Sequence, residues 1–261
     1  AELDVELLVA DANLDVAAQI SKAENFLAQG VDVLILSPVD AKAMGPIVRQ
    51  AKEAGVRVIT EANPVPDADS YVGIDNHDSG AKAGRWFVDY ARANSIEPKI
   101  LMIGLPNFED CRQRIDGFKE ALEKAGLAYE IVQEVDGQGL KEKAFKAAQD
   151  ALTANPQINV IYGINDDSTT GGMAAYKAAG LDESALTAIG FGFEGTVGQT
   201  ALTGDTTYRA ALAMFPNFVG STLVDAAIKL ANGERLPPHY ETPTIVLTRE
   251  NLKRFYDSST A

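Results

Sequence analysis

The sequence predicts an α/β protein made of two doubly wound lobes, each built on a parallel sheet. Apolar runs typical of strands alternate with helix-like segments along nearly all of the 261 residues. Helices of roughly 10–15 residues between successive strands are typical of right-handed β-α-β units, which make parallel sheets. About ten such strands are too many for one comfortable sheet of this class, so we expect two sheets.

The first elements show how each segment is assigned. A strand is predicted over residues 5–9, and a helix with apolar residues at helical spacing follows and ends near Gly30. Val33–Leu36 is a continuous apolar run, as expected of a strand covered on both faces. Asp40 is expected to cap the next helix, which Gly55 closes.

The alternation continues to the end of the sequence. Further strands are predicted at residues 56–60, 71–74, 99–104, 129–132, 160–162, 186–191, 208–213 and 244–247. The helices between them are centred on residues 79–93, 115–122, 142–153, 168–179 and 218–230. In sheets of this class ligands bind beyond the carboxyl ends of the strands, so the loops that follow the strands are the candidate site.

Composition excludes several classes of function. Asp and Glu number 37 against 23 Lys and Arg, and this net charge of -14 argues against a nucleic-acid or phosphoinositide partner. A single cysteine, Cys111, excludes an internal disulfide and a C-x-x-C site, and two histidines leave few metal ligands, so we expect neither metal nor cofactor. No apolar run is long enough for a membrane span, and a signal peptide is either absent or already removed.

Two motifs are better explained structurally. Gly190–Gly195 matches G-x-G-x-x-G, but the following segment is too short for the long helix that dinucleotide binding requires. Asp166 and Asp167 do not share a face as paired catalytic carboxylates would, and Asp167 is interpreted as a helix N-cap. Asp75 and Asp78 are interpreted as turn and cap residues.

Polar and aromatic residues gather at the predicted strand ends. Carboxylate, amide and guanidinium groups can hydrogen-bond neighbouring hydroxyls, while flat rings cover the C–H faces of a polyhydroxylated ligand. No base accompanies a nucleophile, so the set indicates binding and not catalysis. Met214 and Phe215 can equally be core residues, and Asn217 a turn residue. The candidate ligand-binding residues are Arg114, Asn165, Glu61, Asn63, Phe108, Phe193, Glu194, Met214, Phe215 and Asn217.

The order of short motifs resembles one family over essentially the whole chain. It is the family of periplasmic sugar-binding proteins of ABC transporters, of the ribose-binding type, which share their fold with effector domains of the lactose-repressor family. The matching segments, in order, are residues 29–38, 54–60, 73–76, 80–84, 114–118, 165–166, 190–191 and 232–233.

The resemblance implies two lobes joined by a three-segment hinge, with the sugar bound in the cleft between them. The N-terminal lobe would comprise residues 1–75 and 215–241, and the C-terminal lobe residues 76–214 and 242–261. Closure around the ligand would produce the form that a membrane permease recognises. The protein would be periplasmic, or extracytoplasmic and lipid-anchored.

The resemblance also assigns roles to single residues. Arg114 matches the family's sugar-binding arginine and Asn165 its binding asparagine. Many relatives carry Asp-Arg where this chain has Ala62-Asn63, and a glutamine where it has Met214. Where relatives show Gly-Phe-Asp this chain has Gly192, with Glu194 a candidate replacement for the acid. We therefore expect a sugar or sugar alcohol other than ribose.

The largest departure from the family lies at the beginning of the sequence. The strand and helix that normally precede the segment matching residues 5–9 have no counterpart, so the first lobe is expected to lack its first strand and helix. Losing a central strand would leave two strands with unpaired edges. We expect the chain to be part of a longer protein or another segment to fill the gap. It should be a monomer unless another chain supplies that strand.

Two alternatives to transport remain open at this point. The same cleft could belong to the ligand-sensing domain of a receptor or to the effector domain of a lactose-repressor-type regulator. An enzyme is the least favoured reading, because no nucleophile–base pair is present.

Overall fold

The computed structural model describes residues 5–193, 195–204 and 207–256, and it divides into two compact units. Unit 1 comprises Ala1–Gly73 and Val219–Glu241, and unit 2 comprises Ile74–Phe218 and Thr242–Ala261. The chain therefore changes unit after residues 73, 218 and 241, whereas the sequence-based boundaries follow residues 75, 214 and 241. That these units move against each other as lobes stays a prediction.

Helices and strands alternate as the sequence predicts. The helices are α1 (Val16–Gln29), α2 (Ala41–Glu53), α3 (Asn76–Ala93), α4 (Glu109–Lys124), α5 (Lys141–Ala154), α6 (Asp166–Ala178), α7 (Gly195–Gly204) and α8 (Pro216–Ala231). The strands are β1 (Val33–Leu36), β2 (Arg57–Thr60), β3 (Ser70–Gly73), β4 (Lys99–Gly104), β5 (Glu130–Asp136), β6 (Val160–Gly163), β7 (Thr187–Gly192), β8 (Tyr208–Ala213), β9 (His239–Glu241) and β10 (Ile245–Leu247). None of the helices in the described ranges has the length and apolar character needed to cross a membrane.

Unit 1 is a four-stranded parallel sheet in the order β1-β2-β3-β9. Helices α1 and α2 pack on one face, and α8 packs on the other through Ala226 and Leu230. The Asp40 side chain caps α2 by accepting hydrogen bonds from the backbone N–H groups of Lys42 and Ala43, which confirms its predicted role. Strand β9 was not predicted, because its three exposed residues carry no apolar pattern.

The strand predicted over residues 5–9 is wrong. These residues have no regular secondary structure, and the large apolar side chains among them are between 40% and 82% exposed. Their apolar character suits a strand, but a strand is stable only when a neighbour satisfies its backbone groups. No strand of the described chain pairs with them.

Strand β1 leaves one edge of the unit 1 sheet open. The carbonyl oxygens of Asp32 and Leu36 accept hydrogen bonds from the β2 side of the sheet, so the backbone groups of Val33 and Ile35 point to the open side. A cavity of about 320 Å³ lies beside β1 and is lined in part by residues 10–14. The absence of a first strand and helix stays a prediction, and its observable counterpart is this open edge.

Unit 2 is a six-stranded sheet in the order β10-β8-β7-β6-β4-β5. Helices α3 and α4 pack on one face around Phe87 and Phe118, and α5 and α6 pack on the other around Leu152 and Tyr176. Strands β4 to β8 are parallel, whereas β10 runs antiparallel to β8. An antiparallel edge strand on a parallel sheet is common, and here the chain reaches β10 only after passing through α8 and β9.

Two capping assignments differ in outcome. Asp75 caps α3, as expected, by accepting a hydrogen bond from the backbone N–H of Asp78. The assignment of Asp167 as a cap is wrong: α6 begins at Asp166, and the side chain of Asn165 accepts from Ser168 N–H. Three polar residues, Asn165, Asp166 and Asp167, precede Ser168, and the sequence alone does not tell which one occupies the cap.

Candidate functional site

The carboxyl ends of the unit 2 strands bring several predicted residues to one edge of the sheet. Asn165 lies just after β6, Phe193 just after β7, and Met214 just after β8. Arg114 lies on α4, the helix that follows β4, and its side chain reaches back to the end of β6. This edge is where parallel sheets bind ligands, so unit 2 carries most of the candidate site.

The guanidinium of Arg114 is held by three hydrogen bonds. Nε donates to Asn76 Oδ1 at 2.9 Å, one terminal nitrogen donates to the backbone oxygen of Ile164 at 3.0 Å, and the other donates to Asp110 Oδ2 at 3.3 Å. The side chains of Arg114 and Asp110 are only 12% and 13% exposed. A guanidinium has five N–H donors, so one on each terminal nitrogen is left over.

An aromatic ring and a hydroxyl complete the surroundings of Arg114. The Phe191 ring centre lies 4.3 Å from Cζ of Arg114, a cation–π contact that covers one side of the guanidinium. The Tyr162 hydroxyl donates to the backbone oxygen of Arg114 at 3.3 Å. Burial raises the pKa of Tyr162 well above its usual range, so this hydroxyl stays a neutral donor.

Asn165 makes two structural hydrogen bonds at the same edge of the sheet. Its Oδ1 caps α6, and its Nδ2 donates to the backbone oxygen of Gly139 at 2.9 Å. The second bond ties the loop after β5 to the loop after β6. The amide has one further N–H and one further lone pair that a ligand can use, and the ligand-binding assignment of Asn165 stays a prediction beside its structural role.

The apolar candidates divide into core and half-exposed positions. Phe193 is 1% exposed and packs edge-on against Tyr256, so its ring lies in the core of unit 2. Phe215 is half-buried and stacks on Tyr256, Met214 is half-buried against a small apolar cluster, and Phe108 is half-buried at the start of α4. Polar Asn217, at the start of α8, is exposed.

Two candidates lie in unit 1 and one lies outside the described residues. Glu61 directly follows β2, and its Oε2 accepts a hydrogen bond from the Ser37 hydroxyl at 2.8 Å. Asn63 is half-buried in the same loop, and its backbone N–H donates to the Glu61 backbone oxygen. Glu194 falls outside the described residues.

Backbone strain marks three of the strand ends. Ala62 after β2, Phe193 after β7 and Phe215 after β8 have φ angles of 59°, 52° and 52°. Residues with a side chain seldom adopt this left-handed region, and such strain concentrates at ligand-binding loops. The three loops are among those that the sequence singles out.

Sequence reasoning missed the residues that hold Arg114. Asp110 was detectable, because it precedes Arg114 by four residues and so lies on the same helix face. Asn76 and Phe191 gave no local signal, since they approach Arg114 only through the packing of α3 and β7. Within the described ranges no cluster of His, Cys, Asp and Glu could hold a metal ion.

Comparisons with known proteins place the whole fold. A family model described as "Periplasmic binding protein domain" matches residues 1–235. The ribose import binding protein of Escherichia coli is 24% identical over 241 residues, which cover 92% of this chain and 79% of that protein. The putative rhizopine-binding protein of Rhizobium meliloti is 26% identical over 260 residues, covering 96% and 82%.

Solved structures of solute-binding proteins have the same fold as this chain. An ABC transporter solute-binding protein of Mycobacterium smegmatis with bound glycerol is 28% identical, with a TM-score of 0.85 over 96% of this chain and 86% of that one. The myo-inositol binding protein of Caulobacter bound to myo-inositol is 25% identical, with a TM-score of 0.85 over 98% and 87%. The family match spans far more than half of the sequence. The chain therefore belongs to the periplasmic binding protein family.

Proposed function

We propose that the protein captures a neutral sugar or sugar alcohol outside the cytoplasm and delivers it to an ABC importer. Members of its family bind solutes and are not enzymes, and the similar proteins include carriers for ribose import. The partner would be the membrane permease of that importer. We expect a monomer unless another chain pairs with the open edge of β1.

One observation carries the proposal, namely the way Arg114 is held. Three hydrogen bonds and the Phe191 ring fix the guanidinium at the carboxyl ends of β6 and β7. Its two remaining N–H groups can donate to hydroxyls of a polyol. A pre-positioned pair of donors costs little conformational entropy when the ligand binds.

Charge favours a neutral ligand over an anionic one. Arg114 is already paired with Asp110, and both side chains are mostly buried, so the guanidinium has little uncompensated charge to offer a carboxylate or phosphate. Adding an anion near Asp110 would place two negative groups close together in a poorly solvated region. Hydroxyl groups carry no such penalty.

The ligand is expected to differ from ribose. The resemblance to the ribose-binding type implies an acid and an arginine where this chain has Ala62 and Asn63, and a glutamine where it has Met214. Glycerol and myo-inositol occupy the similar structures from Mycobacterium smegmatis and Caulobacter. Polyols and cyclitols therefore stand beside pentoses and hexoses as the ligand class to test.

Delivery would depend on closure of the two units around the ligand. A ligand shifts an open–closed equilibrium only by the difference in its affinity for the two forms. Candidates in both units, such as Glu61 in one and Arg114 in the other, would supply that difference. The permease would then distinguish loaded from empty protein by shape.

A thermal-shift screen against pentoses, hexoses, polyols and sugar acids tests the ligand class. A compound at 100 times its dissociation constant should stabilise the protein by about 2.7 kcal/mol, which is readily measured. Stabilisation by sugar acids alone would contradict the neutral-ligand proposal, and no stabilisation by any member would overturn sugar binding.

The variant Arg114→Ala, measured by calorimetry with the best compound from that screen, tests whether Arg114 binds the ligand. Affinity should fall at least tenfold, or about 1.4 kcal/mol, without unfolding the protein. Arg85→Ala is the matched control, because it removes an arginine that is exposed and whose described ion pair is with Asp78. Equal affinity of wild type and Arg114→Ala would remove Arg114 from the site.

A further inference from the structure

We propose that Gly80 and Gly117 are positioning residues that hold Arg114 in its binding orientation by letting α3 and α4 touch backbone to backbone. The inference rests on the proposed function only in assigning Arg114 to the ligand. The positioning itself concerns unit 2 alone, in which both helices lie.

The two glycines form a reciprocal contact. A Cβ placed on Gly80 of α3 would lie 2.0 Å from the backbone oxygen of Arg114 on α4. A Cβ placed on Gly117 of α4 would lie 1.9 Å from the backbone oxygen of His77 on α3. Real Cβ atoms stay at least 3.0 Å from such neighbours, so any side chain at either position must push the helices apart by about 1 Å.

The contact between Gly80 and the Arg114 backbone lies next to groups that hold the guanidinium. Asn76, the acceptor for Arg114 Nε, is the first residue of α3, one turn before Gly80. The same backbone oxygen of Arg114 that touches Gly80 also accepts from the Tyr162 hydroxyl. The helix spacing set by the glycines therefore fixes both ends of the Arg114–Asn76 hydrogen bond.

A small displacement is enough to break that bond. The Nε–Oδ1 distance is 2.9 Å, and a separation of about 1 Å would lengthen it beyond the range of a hydrogen bond. The remaining bonds to Ile164 and Asp110 would let the guanidinium rotate away from the Phe191 ring. Gly80 thus acts on the ligand through Arg114 without needing to touch it.

Another close helix pair in the same unit provides a matched control. A Cβ on Gly171 of α6 would lie 2.4 Å from the backbone oxygen of Lys141 on α5, which is also well below the 3.0 Å that real Cβ atoms keep. Helix α5 carries no candidate ligand residue and no partner of Arg114. Helix α6 begins just after Ile164 and Asn165, but the Nε–Asn76 hydrogen bond joins α4 to α3 and includes neither α5 nor α6. Gly171→Ala should therefore loosen unit 2 and leave the bond between Arg114 Nε and Asn76 intact.

The test is solvent exchange of the Arg114 Nε–H, followed by NMR on sugar-free protein and assigned with Arg114→Lys. In wild type this proton should exchange slowly, because it is hydrogen-bonded to Asn76 and the side chain is mostly buried. Gly80→Ala should speed its exchange at least tenfold, and Gly171→Ala should leave it within twofold of wild type. Equal effects of the two variants, or none from Gly80→Ala, would overturn the positioning role.

If Gly80→Ala does not fold, the same exchange measurement on Gly84→Ala tests the positioning role. Its Cβ would lie 2.7 Å from the Phe118 backbone oxygen, so it separates the same helices by less and should give a smaller but measurable increase in exchange. Unchanged exchange in a folded Gly84→Ala protein would contradict the proposal.

A double-mutant cycle on affinity links the positioning to the ligand, with the best compound from the thermal-shift screen as probe. Gly80→Ala should weaken binding at least tenfold in wild type and less than twofold in the Arg114→Ala background, because it acts through Arg114. Equal losses in both backgrounds would overturn the link. If the protein binds no screened compound, the proposed function is overturned. The NMR exchange measurement still tests the positioning role, because it is made on sugar-free protein.

Discussion

Units 1 and 2 are both α/β sandwiches, yet they are packed in different ways. In unit 2 glycines at positions 80, 117 and 171 let helices approach backbone to backbone, and strands β4, β6 and β7 are almost wholly buried. In unit 1 the added Cβ at Gly220 would meet nothing within 4 Å, and strand β1 leaves its outer edge open. The close helix contacts thus occur in the unit that holds Arg114, and a group that must be kept in one orientation is best built on closely packed elements.

The largest expected difference between the units comes from adding one methyl group to each. Gly171→Ala should lower the free energy of unfolding by about 3 kcal/mol, because its Cβ would collide with the backbone of α5. Gly220→Ala, on the exposed side of α8, should raise it by about 0.5–1 kcal/mol through helix propensity. Urea unfolding of both variants measures the contrast, and a destabilising Gly220→Ala would break it.

The open edge of unit 1 should be visible in backbone hydrogen exchange. The amides of Val33 and Ile35 face the unpaired side of β1, whereas those of Leu34 and Leu36 face β2. We expect the first pair to exchange at least 100-fold faster than the second, a difference of about 2.7 kcal/mol in protection.

Equal protection of the two amide pairs would contradict an open edge. It would mean that another strand pairs with β1. Light scattering would then tell whether that strand belongs to a second chain, since the mass would double.

A buried ionisable group of unit 2, the Cys111 thiol, should make the stability of the protein depend on pH. Burial raises the pKa of the Cys111 thiol to about 12, from a usual value of 9.0. The thiol of the folded protein stays protonated, whereas the thiol of the unfolded protein ionises. The free energy of unfolding therefore keeps the full contribution of the buried thiol below pH 9 and loses it as the pH rises from 9 toward 12. Between pH 8 and pH 10 the cost should be about 1.4 kcal/mol.

Cys111→Ala isolates this contribution. The variant should lose about 1.4 kcal/mol less than wild type over the same pH interval, measured by urea unfolding at each pH. Tyrosines ionise in both proteins and cancel in the difference. Identical pH dependence in the two proteins would show that the thiol is accessible to water.

The alternation of elements was predictable because it depends on local pattern. Buried runs such as Val33–Leu36 and caps such as Asp40 and Asp75 are properties of short segments, and all three are found where predicted. The segment 5–9 has the same local pattern and forms no strand, because pairing depends on a neighbour that a local pattern cannot reveal.

The candidate site was predictable only in outline. The strand-end rule located Arg114 and Asn165, but Phe193 in the same kind of loop turns into the core. The direction of a side chain after a strand depends on one or two backbone angles, and Phe193 adopts an uncommon one. The contacts of Arg114 with Asn76 and Phe191 depend on how distant segments pack, which no single segment encodes.

The pairing of Arg114 with Asp110 has a consequence for the medium in which the protein works. The surface carries the net charge of -14, and dissolved salt screens it over about 10 Å. The buried pair is largely shielded from those ions, and a neutral ligand brings no charge of its own. If the protein captures a neutral ligand as proposed, its affinity should therefore be nearly the same in dilute and in salty surroundings.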